Sequence, residues 1–294
     1  MKFLDRVIWH ACRTPLAGPM KALRRVGQVA DIRRRRALAQ PQEPALTANY
    51  AASLARDGFV DVSDLLAGPA MDALQAAGDA KLARVPEAKA RQASSQKTFW
   101  VRLLDEDMTE GVLPTDNPFV AFAIQDRVLD ILGEMLGELP QLDYVLLTLS
   151  EGTDEPLKSS QLWHKDYDDV RTVKLFVYLT DVEGAENGPF TFIPGPQSDR
   201  VGFTRRTHRS DEEVFGGSIS RSDVREMRAR KGAAFFVETS RCLHMGSRLA
   251  PGRMRLLYTA TYTTVPRLYS AIPPRFRWAG GESERQRCVL ATST

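Results

Sequence analysis

Two histidines and one aspartate, far apart in the sequence, have the residue types and local spacing of a mononuclear metal site. His164 and Asp166 lie two residues apart in Trp163-His164-Lys165-Asp166, and side chains at positions i and i+2 of a strand point to the same face. A later strand that carries His244 would bring a second imidazole beside them. Two histidines and a carboxylate on one face of a metal leave the other coordination positions open, as in non-haem Fe(II) oxygenases.

The spacing alone leaves other interpretations open. A His-x-Asp pair also occurs as a surface pair or a turn, and two histidines with one carboxylate also suit a zinc-dependent hydrolase. Asp168 or Asp169 could serve such a hydrolase as its general base, but we expect both to be solvated in a loop. A non-catalytic jelly-roll binding module is a further alternative. Cys242 lies two residues before His244, and we interpret it as a small buried residue rather than as a fourth ligand.

A buried arginine would distinguish these possibilities. The Pro251-Gly252 turn precedes a run from 253 to 262 that has the composition of a strand. We expect Arg253, beside the turn, to be solvated. Arg255 lies one pleat further in, and we expect it to point inward and to form two hydrogen bonds with a carboxylate. A dicarboxylate cosubstrate needs such a cation, whereas a hydrolase or a lectin does not.

The segments around these residues predict a β domain with helical additions. Helical patterns cover 45–56, 62–85 and 118–137. Strands are predicted at 98–104, 142–149, 173–180, 189–193, 233–238 and 255–264. Short strands separated by turn signals predict a mainly β fold with flanking α-helices. We expect a double-stranded β-helix (jelly roll, cupin-like) core with an α-helical N-terminal part.

The stretch from about 129 to 262 resembles the phytanoyl-CoA hydroxylase-like (PhyH) family of Fe(II)/2-oxoglutarate-dependent dioxygenases. The sequence WHKD at 163–166 is similar to the W-H-x-D signature of the family, and NGPFTFIPG at 187–195 is similar to its N-G-x-L-x-x-x-P-G segment. His244, with Arg255 eleven residues later, is similar to its distal motif. The resemblance does not extend to the first fifty residues, and it does not specify the substrate.

This resemblance implies an enzyme, a non-haem Fe(II)/2-oxoglutarate-dependent dioxygenase (hydroxylase). His164, Asp166 and His244 would be its metal ligands and catalytic centre, with Fe(II) and 2-oxoglutarate as cofactors and O2 as cosubstrate. Oxidative decarboxylation of 2-oxoglutarate to succinate and CO2 would be coupled to hydroxylation of an unactivated C–H bond of a small-molecule substrate. Related iron halogenases carry a small residue in place of Asp166, so the carboxylate favours hydroxylation or another oxidation over halogenation.

The resemblance also implies residues that bind the cosubstrate. Arg255 would hold the far carboxylate of 2-oxoglutarate, together with Ser247. The family often has glycine directly after the distal histidine, where this chain has Met245, so the motif is shifted by one residue. Tyr178 lies where the family often has a tryptophan that contacts the cosubstrate. Packing against the cosubstrate and an ordinary place in the core are both open for Tyr178.

The element pattern and charge distribution predict a domain plan, and the resemblance implies a substrate lid. A basic N-terminal arm, partly helical, would cover 1–44, and a single dioxygenase domain would cover 45–294. Within that domain we predict mostly helical support at 45–140, a jelly-roll core at 141–270 and a C-terminal tail at 271–294. The family places a substrate lid at 198–230. An anionic substrate group could bind to Arg205, Arg206 or Arg209 of this lid, and Lys97 and Arg102 are weaker candidates. The alternative is that these side chains are solvated and form surface ion pairs.

Positive charge is concentrated at the N-terminus. Residues 1–36 contain ten Lys or Arg and two Asp, a net charge of +8, whereas the whole chain has +3. Contact with anionic lipid, nucleic-acid binding and a solvated or docked helical arm are all compatible with this pattern. We favour the solvated or docked arm and expect no nucleic-acid partner. Peripheral membrane contact through this arm stays open but is not favoured.

The remaining composition agrees with a cytoplasmic location. No apolar run approaches the roughly twenty residues of a membrane-spanning helix. The apolar stretches near the N-terminus are interrupted by charged residues, which is unlike a signal peptide. The three cysteines, Cys12, Cys242 and Cys288, show no paired spacing, which fits a reducing compartment.

Overall fold

The computed structural model describes residues 11, 13–91, 99–104, 112–167, 169–201, 207–246, 248–268 and 276–290. The strands in this part of the chain are β1 (Phe59–Asp61), β2 (Trp100–Arg102), β3 (Leu113–Pro114), β4 (Gln141–Glu151), β5 (Thr172–Tyr178), β6 (Phe190–Ile193), β7 (Arg225–Met227), β8 (Ala234–Glu238), β9 (Leu243–Met245), β10 (Met254–Thr263) and β11 (Phe276–Arg277). The α-helices are α1 (Ala17–Val26), α2 (Val29–Leu38), α3 (Pro44–Asp57), α4 (Ser63–Leu66), α5 (Pro69–Leu82), α6 (Val85–Arg91), α7 (Pro118–Ala123), α8 (Asp126–Leu136), α9 (Gly195–Ser198), α10 (Asp211–Phe215) and α11 (Glu284–Leu290).

Two antiparallel sheets enclose the site. The large sheet has the strand order β1-β8-β5-β10-β4-β2, and the small sheet has the order β7-β6-β9. A cluster of buried aromatic and aliphatic side chains from β5, β6, β8 and β10 fills part of the space between them. β11 and β3 form a separate parallel pair. The predicted fold class is confirmed: a jelly-roll core with flanking helices and a helical N-terminal part.

The two faces of the large sheet have different partners. Along β10, Leu256 and Tyr258 pack into the main hydrophobic core, to which the helices α3, α5, α7 and α8 also contribute. Arg255, Leu257 and Thr259 alternate with them and line a cavity on the other face. This period of two is the geometry of a strand, and it gives the helices one face of the sheet and the site the other.

Two segments with continuous helical patterns are each divided in the structure. Gly68 has a φ of 123°, a conformation that favours glycine, and Pro69 then begins α5 at its first helical position. In the other segment Gln125 is extended between α7 and α8. The periodicity of the apolar residues continues across both interruptions, so it predicts the buried face but not the turn.

The N-terminal helices α1 and α2 are docked against the rest of the chain. Arg25 forms an ion pair with Glu138. Arg35 is buried, and it donates hydrogen bonds to Asp31 Oδ2 at 2.9 Å and to the Pro140 carbonyl at 3.0 Å. Residues 17–38 therefore follow the docked interpretation of the basic segment, while the boundary at residue 44 remains a prediction. Among the described residues, no helix is both long enough and apolar enough to cross a membrane.

Candidate metal and cosubstrate site

The three predicted metal ligands meet at one point between the two sheets. His164 and His244 form an antiparallel bridge, in which each backbone N–H donates to the carbonyl of the other at 2.9 Å. The Asp166 backbone N–H donates to the Thr239 carbonyl, also at 2.9 Å. One potential ligand atom from each of His164, Asp166 and His244 lies within 4.8 Å of the other two. This spacing and this set of donors fit a single metal ion.

Backbone carbonyls fix the proton positions on both imidazoles. His164 Nδ1 lies 2.8 Å from the Leu162 carbonyl, and His244 Nδ1 lies 2.9 Å from the Cys242 carbonyl. A carbonyl oxygen only accepts, so in both rings Nδ1 carries the proton and Nε2 presents its lone pair. His244 Nε2 lies 3.9 Å from Asp166 Oδ2. Nε2 of each histidine is therefore the nitrogen that can bind a metal, and Nε2 of His244 faces the Asp166 carboxylate.

The electrostatic environment favours the protonation states that bind metals. Burial, with a smaller contribution from His244, lowers the pKa of His164 to about 3. Burial also lowers the pKa of His244. At Asp166 burial acts to raise the pKa, but the charge of Lys174 and the other neighbouring groups outweigh it, so the pKa lies below its ordinary value. Neutral histidines and an ionised aspartate are the forms that metal coordination requires.

Arg255 lies in the same cavity as the triad. Its side chain is buried and donates from Nη1 to the Gly188 carbonyl. Gly188 has a φ of 63°, and a Cβ there would lie 2.8 Å from Leu249. The Asn-Gly segment of the sequence motif thus supplies a tight turn whose carbonyl anchors the arginine. Arg253 is exposed, as expected from its place beside the turn.

The cavity has a volume of about 290 Å³ and carries an excess of positive charge. Its cations among the described residues are Arg102, Lys174 and Arg255, and its one carboxylate there is Asp166. Its aromatic side chains are Trp100, Tyr144, Phe176 and Phe190. The space therefore suits a small molecule with apolar and anionic parts.

Three neighbours of the triad do not follow from the sequence motifs. Lys174 lies 2.8 Å from Asp166 through its Nζ. The Phe190 ring is stacked on His244 with centroids 5.4 Å apart, and the His208 ring is stacked on His164 at 5.1 Å. For the lysine, the available signal was its inward position in the otherwise apolar strand TVKLFVY, two residues before Phe176, which lines the cavity.

An ion pair attaches the predicted lid to the segment of the metal motif, which forms isolated β-bridges through Trp163 and His164 rather than a continuous strand. Asp211, at the start of α10, accepts hydrogen bonds from Trp163 Nε1 at 2.8 Å and from two guanidinium nitrogens of Arg248 at 3.0 and 2.9 Å. The Arg248 Nε also donates to the Gln161 carbonyl at 2.7 Å. In addition, Arg209 and Trp163 exchange two backbone hydrogen bonds. Residues 207–215 are thus held directly against the segment of His164.

Other predicted residues lie outside the cavity. Tyr178 is buried in the cluster between the sheets, where its hydroxyl donates to the Met227 carbonyl and accepts from the Phe190 N–H, both at 2.8 Å. It is not among the residues that line the cavity. Cys242 is buried beside the Gly58 carbonyl, and burial raises the pKa of its thiol to about 12. Asp169 forms a buried ion pair with Lys21, so the expectation that it is solvated is wrong.

Five further predicted residues are not in the part of the chain that the structure describes. They are Lys97, Asp168, Arg205, Arg206 and Ser247.

A jelly roll in which two histidines, a carboxylate and a buried arginine line one cavity defines a class, the non-haem Fe(II) oxygenases. The family model of phytanoyl-CoA dioxygenase (PhyH) matches residues 54–251, about two thirds of the chain and all three members of the triad. The chain belongs to this family, and it is an enzyme of the Fe(II)/2-oxoglutarate-dependent oxygenase class. Arg255 lies four residues beyond the matched region.

Solved structures of the same architecture resemble the chain at low sequence identity. EctD from S. alaskensis with 2-oxoglutarate and 5-hydroxyectoine is 19% identical with a TM-score of 0.55, over 77% of this chain and 80% of that chain. EctD from S. alaskensis with bound Fe is 19% identical with a TM-score of 0.52, over 80% and 81% of the two chains. The epimerase SnoN from nogalamycin biosynthesis is 18% identical with a TM-score of 0.47, over 75% and 84%. The likeness to EctD shows the fold, and the comparison with curated proteins gave no significant match.

Proposed function

We propose that this protein hydroxylates an unactivated C–H bond of a small-molecule substrate and couples this step to oxidative decarboxylation of 2-oxoglutarate to succinate and CO2. The observation that carries the proposal is that the His164, Asp166 and His244 triad and the buried Arg255 line one cavity. A metal site and a buried guanidinium together match a cosubstrate with a chelating end and a carboxylate end.

The triad would hold Fe(II) through three protein ligands. His164 and His244 would bind through Nε2, because Nδ1 of each ring donates to a carbonyl. Asp166 would bind through the oxygen that faces His244, at 3.9 Å from its Nε2. Bound iron, together with 2-oxoglutarate, would supply the activation of O2 that hydroxylation needs. The carboxylate at position 166 fills the place that the related halogenases leave open, which supports hydroxylation.

Arg255 would hold the far carboxylate of 2-oxoglutarate. Its fork of N–H donors matches a carboxylate in a way that a single ammonium does not, and the buried surroundings strengthen charge-assisted hydrogen bonds. The Gly188 carbonyl fixes the orientation of the guanidinium through Nη1. Ser247 is proposed as a second contact to this carboxylate from the sequence motif alone. Tyr178 would act on the cosubstrate only indirectly, because its hydroxyl accepts a hydrogen bond from the backbone N–H of Phe190.

The size and lining of the cavity support a small substrate. Its aromatic walls would exclude water from the reacting C–H bond, and Arg102 at its edge suits an anionic substituent. EctD, which shares the fold, has been crystallised with a hydroxylated small molecule, 5-hydroxyectoine. That relative supports the size class of the substrate proposed here.

Anaerobic titration with Fe(II) and 2-oxoglutarate tests the proposal. A weak visible charge-transfer band should appear only when both are present, and Arg255→Ala should lose it. The matched control is Arg253→Ala, which changes an exposed arginine two residues away and should keep the band. In air, the wild-type protein should also form succinate from 2-oxoglutarate. Iron binding without a band and without succinate would contradict the proposal.

A further inference from the structure

Lys21 of helix α1 is a buried cation that joins two segments of the site. Its Nζ lies 2.8 and 2.7 Å from the two carboxylate oxygens of Asp169, and it donates to the Thr264 carbonyl at 2.7 Å. Lys21 is 5% exposed and Asp169 is 4% exposed. The ammonium group therefore has three oxygen acceptors in a position shielded from solvent.

The partners of Lys21 belong to the two segments that carry the site. Asp169 follows Asp166 by three residues in the segment that leads to β5. Thr264 directly follows the C-terminal end of β10, the strand that carries Arg255 at its N-terminal end. The Asp169 carboxylate also accepts the N–H of Val170 at 2.6 Å and of Leu268 at 3.3 Å. The Lys21–Asp169 pair thus connects the segment after the metal motif to the C-terminal end of the arginine strand.

Two of the three residues in this connection lie towards the ends of the chain. Lys21 and Thr264 both lie outside residues 54–251, the region that the family model matches. Desolvating two charges costs several kcal/mol per ion unless the geometry compensates, so a buried pair is weak evidence for net stability. A pair of this kind, placed between the two halves of a site, can fix their relative position.

We propose that Lys21 is a positioning residue of the iron and 2-oxoglutarate site, and that helix α1 is therefore a functional part of the enzyme. The inference rests on the proposed function. Lys21 holds the segment after Asp166 against the C-terminal end of β10, so that the carboxylate ligand and Arg255 keep the separation that the chelated cosubstrate requires. A role confined to anchoring helix α1 is the competing explanation.

Arg25 offers a matched control on the same helix. It lies one turn after Lys21 and forms an ion pair with Glu138, whose side chain is 3% exposed. It also donates to the Val265 carbonyl at 2.8 Å. Arg25 thus docks α1 through a partly buried ion pair, but its carboxylate partner lies between α8 and β4 rather than beside the metal motif.

The experiment compares Lys21→Met and Arg25→Met in the full chain. Both variants should unfold at a lower temperature than the wild type. Only Lys21→Met should weaken anaerobic Fe(II) binding, by about tenfold or more, as supporting residues of metal sites do. It should also weaken 2-oxoglutarate binding and shift the charge-transfer band. Lys21→Arg, which keeps the charge, should recover part of the metal affinity. If Lys21→Met does not fold, Lys21→Gln, which removes the charge but keeps a hydrogen-bond donor, replaces it as the test variant and should show the same loss.

Each result decides between the two roles. Wild-type Fe(II) and 2-oxoglutarate affinities in Lys21→Met, or equal losses in Arg25→Met, would reduce Lys21 to a structural anchor and leave the proposed function intact. Failure of the wild-type protein itself to bind Fe(II) with 2-oxoglutarate would overturn the proposed function, and the positioning role with it.

Discussion

Lys174 Nζ lies 2.8 Å from Asp166 Oδ2, the carboxylate oxygen that also lies 3.9 Å from His244 Nε2. The ammonium group therefore contacts the oxygen on the side where the histidines present their free nitrogens. Both side chains of the pair are 14% exposed, so solvent and salt screen it less than a surface pair. Lys174 neutralises Asp166 in the metal-free protein, and it repels a cation that binds there.

Replacement of Lys174 should affect the metal and the cosubstrate in opposite directions. We expect Lys174→Met to raise the affinity for Fe(II) and to lower the affinity for 2-oxoglutarate. The lost positive charge repels a dication and attracts a dianion, and each change should be about tenfold, which corresponds to roughly 1.4 kcal/mol. Anaerobic calorimetric titrations with Fe(II), and then with 2-oxoglutarate, measure both.

A second lysine provides the control for this charge effect. Lys165 lies between two of the ligands in sequence, but its ammonium donates to the Ser198 carbonyl at 3.1 Å. Lys165→Met should leave both affinities within about twofold of the wild type, since its charge does not face the cavity. Weaker Fe(II) binding in Lys174→Met would show instead that orientation of Asp166 is the main role of Lys174.

Loss of any one of the three proposed ligands should abolish turnover without unfolding the protein. We expect His164→Ala, Asp166→Ala and His244→Ala each to reduce Fe(II)-dependent succinate formation below about one hundredth of wild type, since even supporting residues cost tenfold to a hundredfold. The triad lines a cavity and is separate from the main hydrophobic core, so circular dichroism should show an intact fold.

His208 tests whether the effect is specific to the ligands. Its ring is stacked on His164, but it is not one of the three residues whose ligand atoms converge. His208→Ala should therefore bind one equivalent of Fe(II). Retained turnover in one of the three ligand variants would remove that residue from the proposed set.

The local part of the site is predictable because its determinants are short-range. The alternation of a strand is enough to pair His164 with Asp166, and the distance from a Pro-Gly turn is enough to separate the buried Arg255 from the exposed Arg253. The jelly-roll class follows in the same way from short strands and turn residues. Family motifs then order these elements along the chain.

The long-range part is not predictable from the same patterns. Lys21 and Asp169 are 148 residues apart in sequence, and a run of basic residues does not indicate which cation is buried. Composition favours a solvated or docked arm over lipid or nucleic-acid binding, but it does not identify the contacts that dock the segment. Lys174 likewise has its partner on another segment, so only the fold brings the ammonium to Asp166.

The burial of His164 predicts a loss of stability in acid for the metal-free protein. Burial, with His244, lowers the pKa of His164 from 6.5 to about 3. As the pH falls below about 6.5, the unfolded chain takes up a proton that the folded state excludes, so the free energy of unfolding decreases down to about pH 3. The lowered pKa of His244 acts in the same direction.

Urea unfolding of the metal-free protein between about pH 7.5 and 4.5 measures this dependence. His164→Asn, which does not titrate in this range, should show a shallower decrease than the wild type. Equal slopes in the two proteins would mean that His164 is accessible to protons in the folded state.

The carboxylate of Asp211 should control the order of residues 207–215. It accepts hydrogen bonds from Trp163 and from Arg248, so Asp211→Ala removes charge-assisted bonds in a partly exposed place and should cost about 1–2 kcal/mol of unfolding free energy. Hydrogen exchange should accelerate in 207–215 more than in the strands. Asp223 is the matched control, because its carboxylate accepts the Ser220 N–H at the start of the short 3-10 helix Arg221–Asp223 and does not contact the metal-motif segment. Equal exchange in Asp211→Ala and Asp223→Ala would show that other contacts hold the segment against His164.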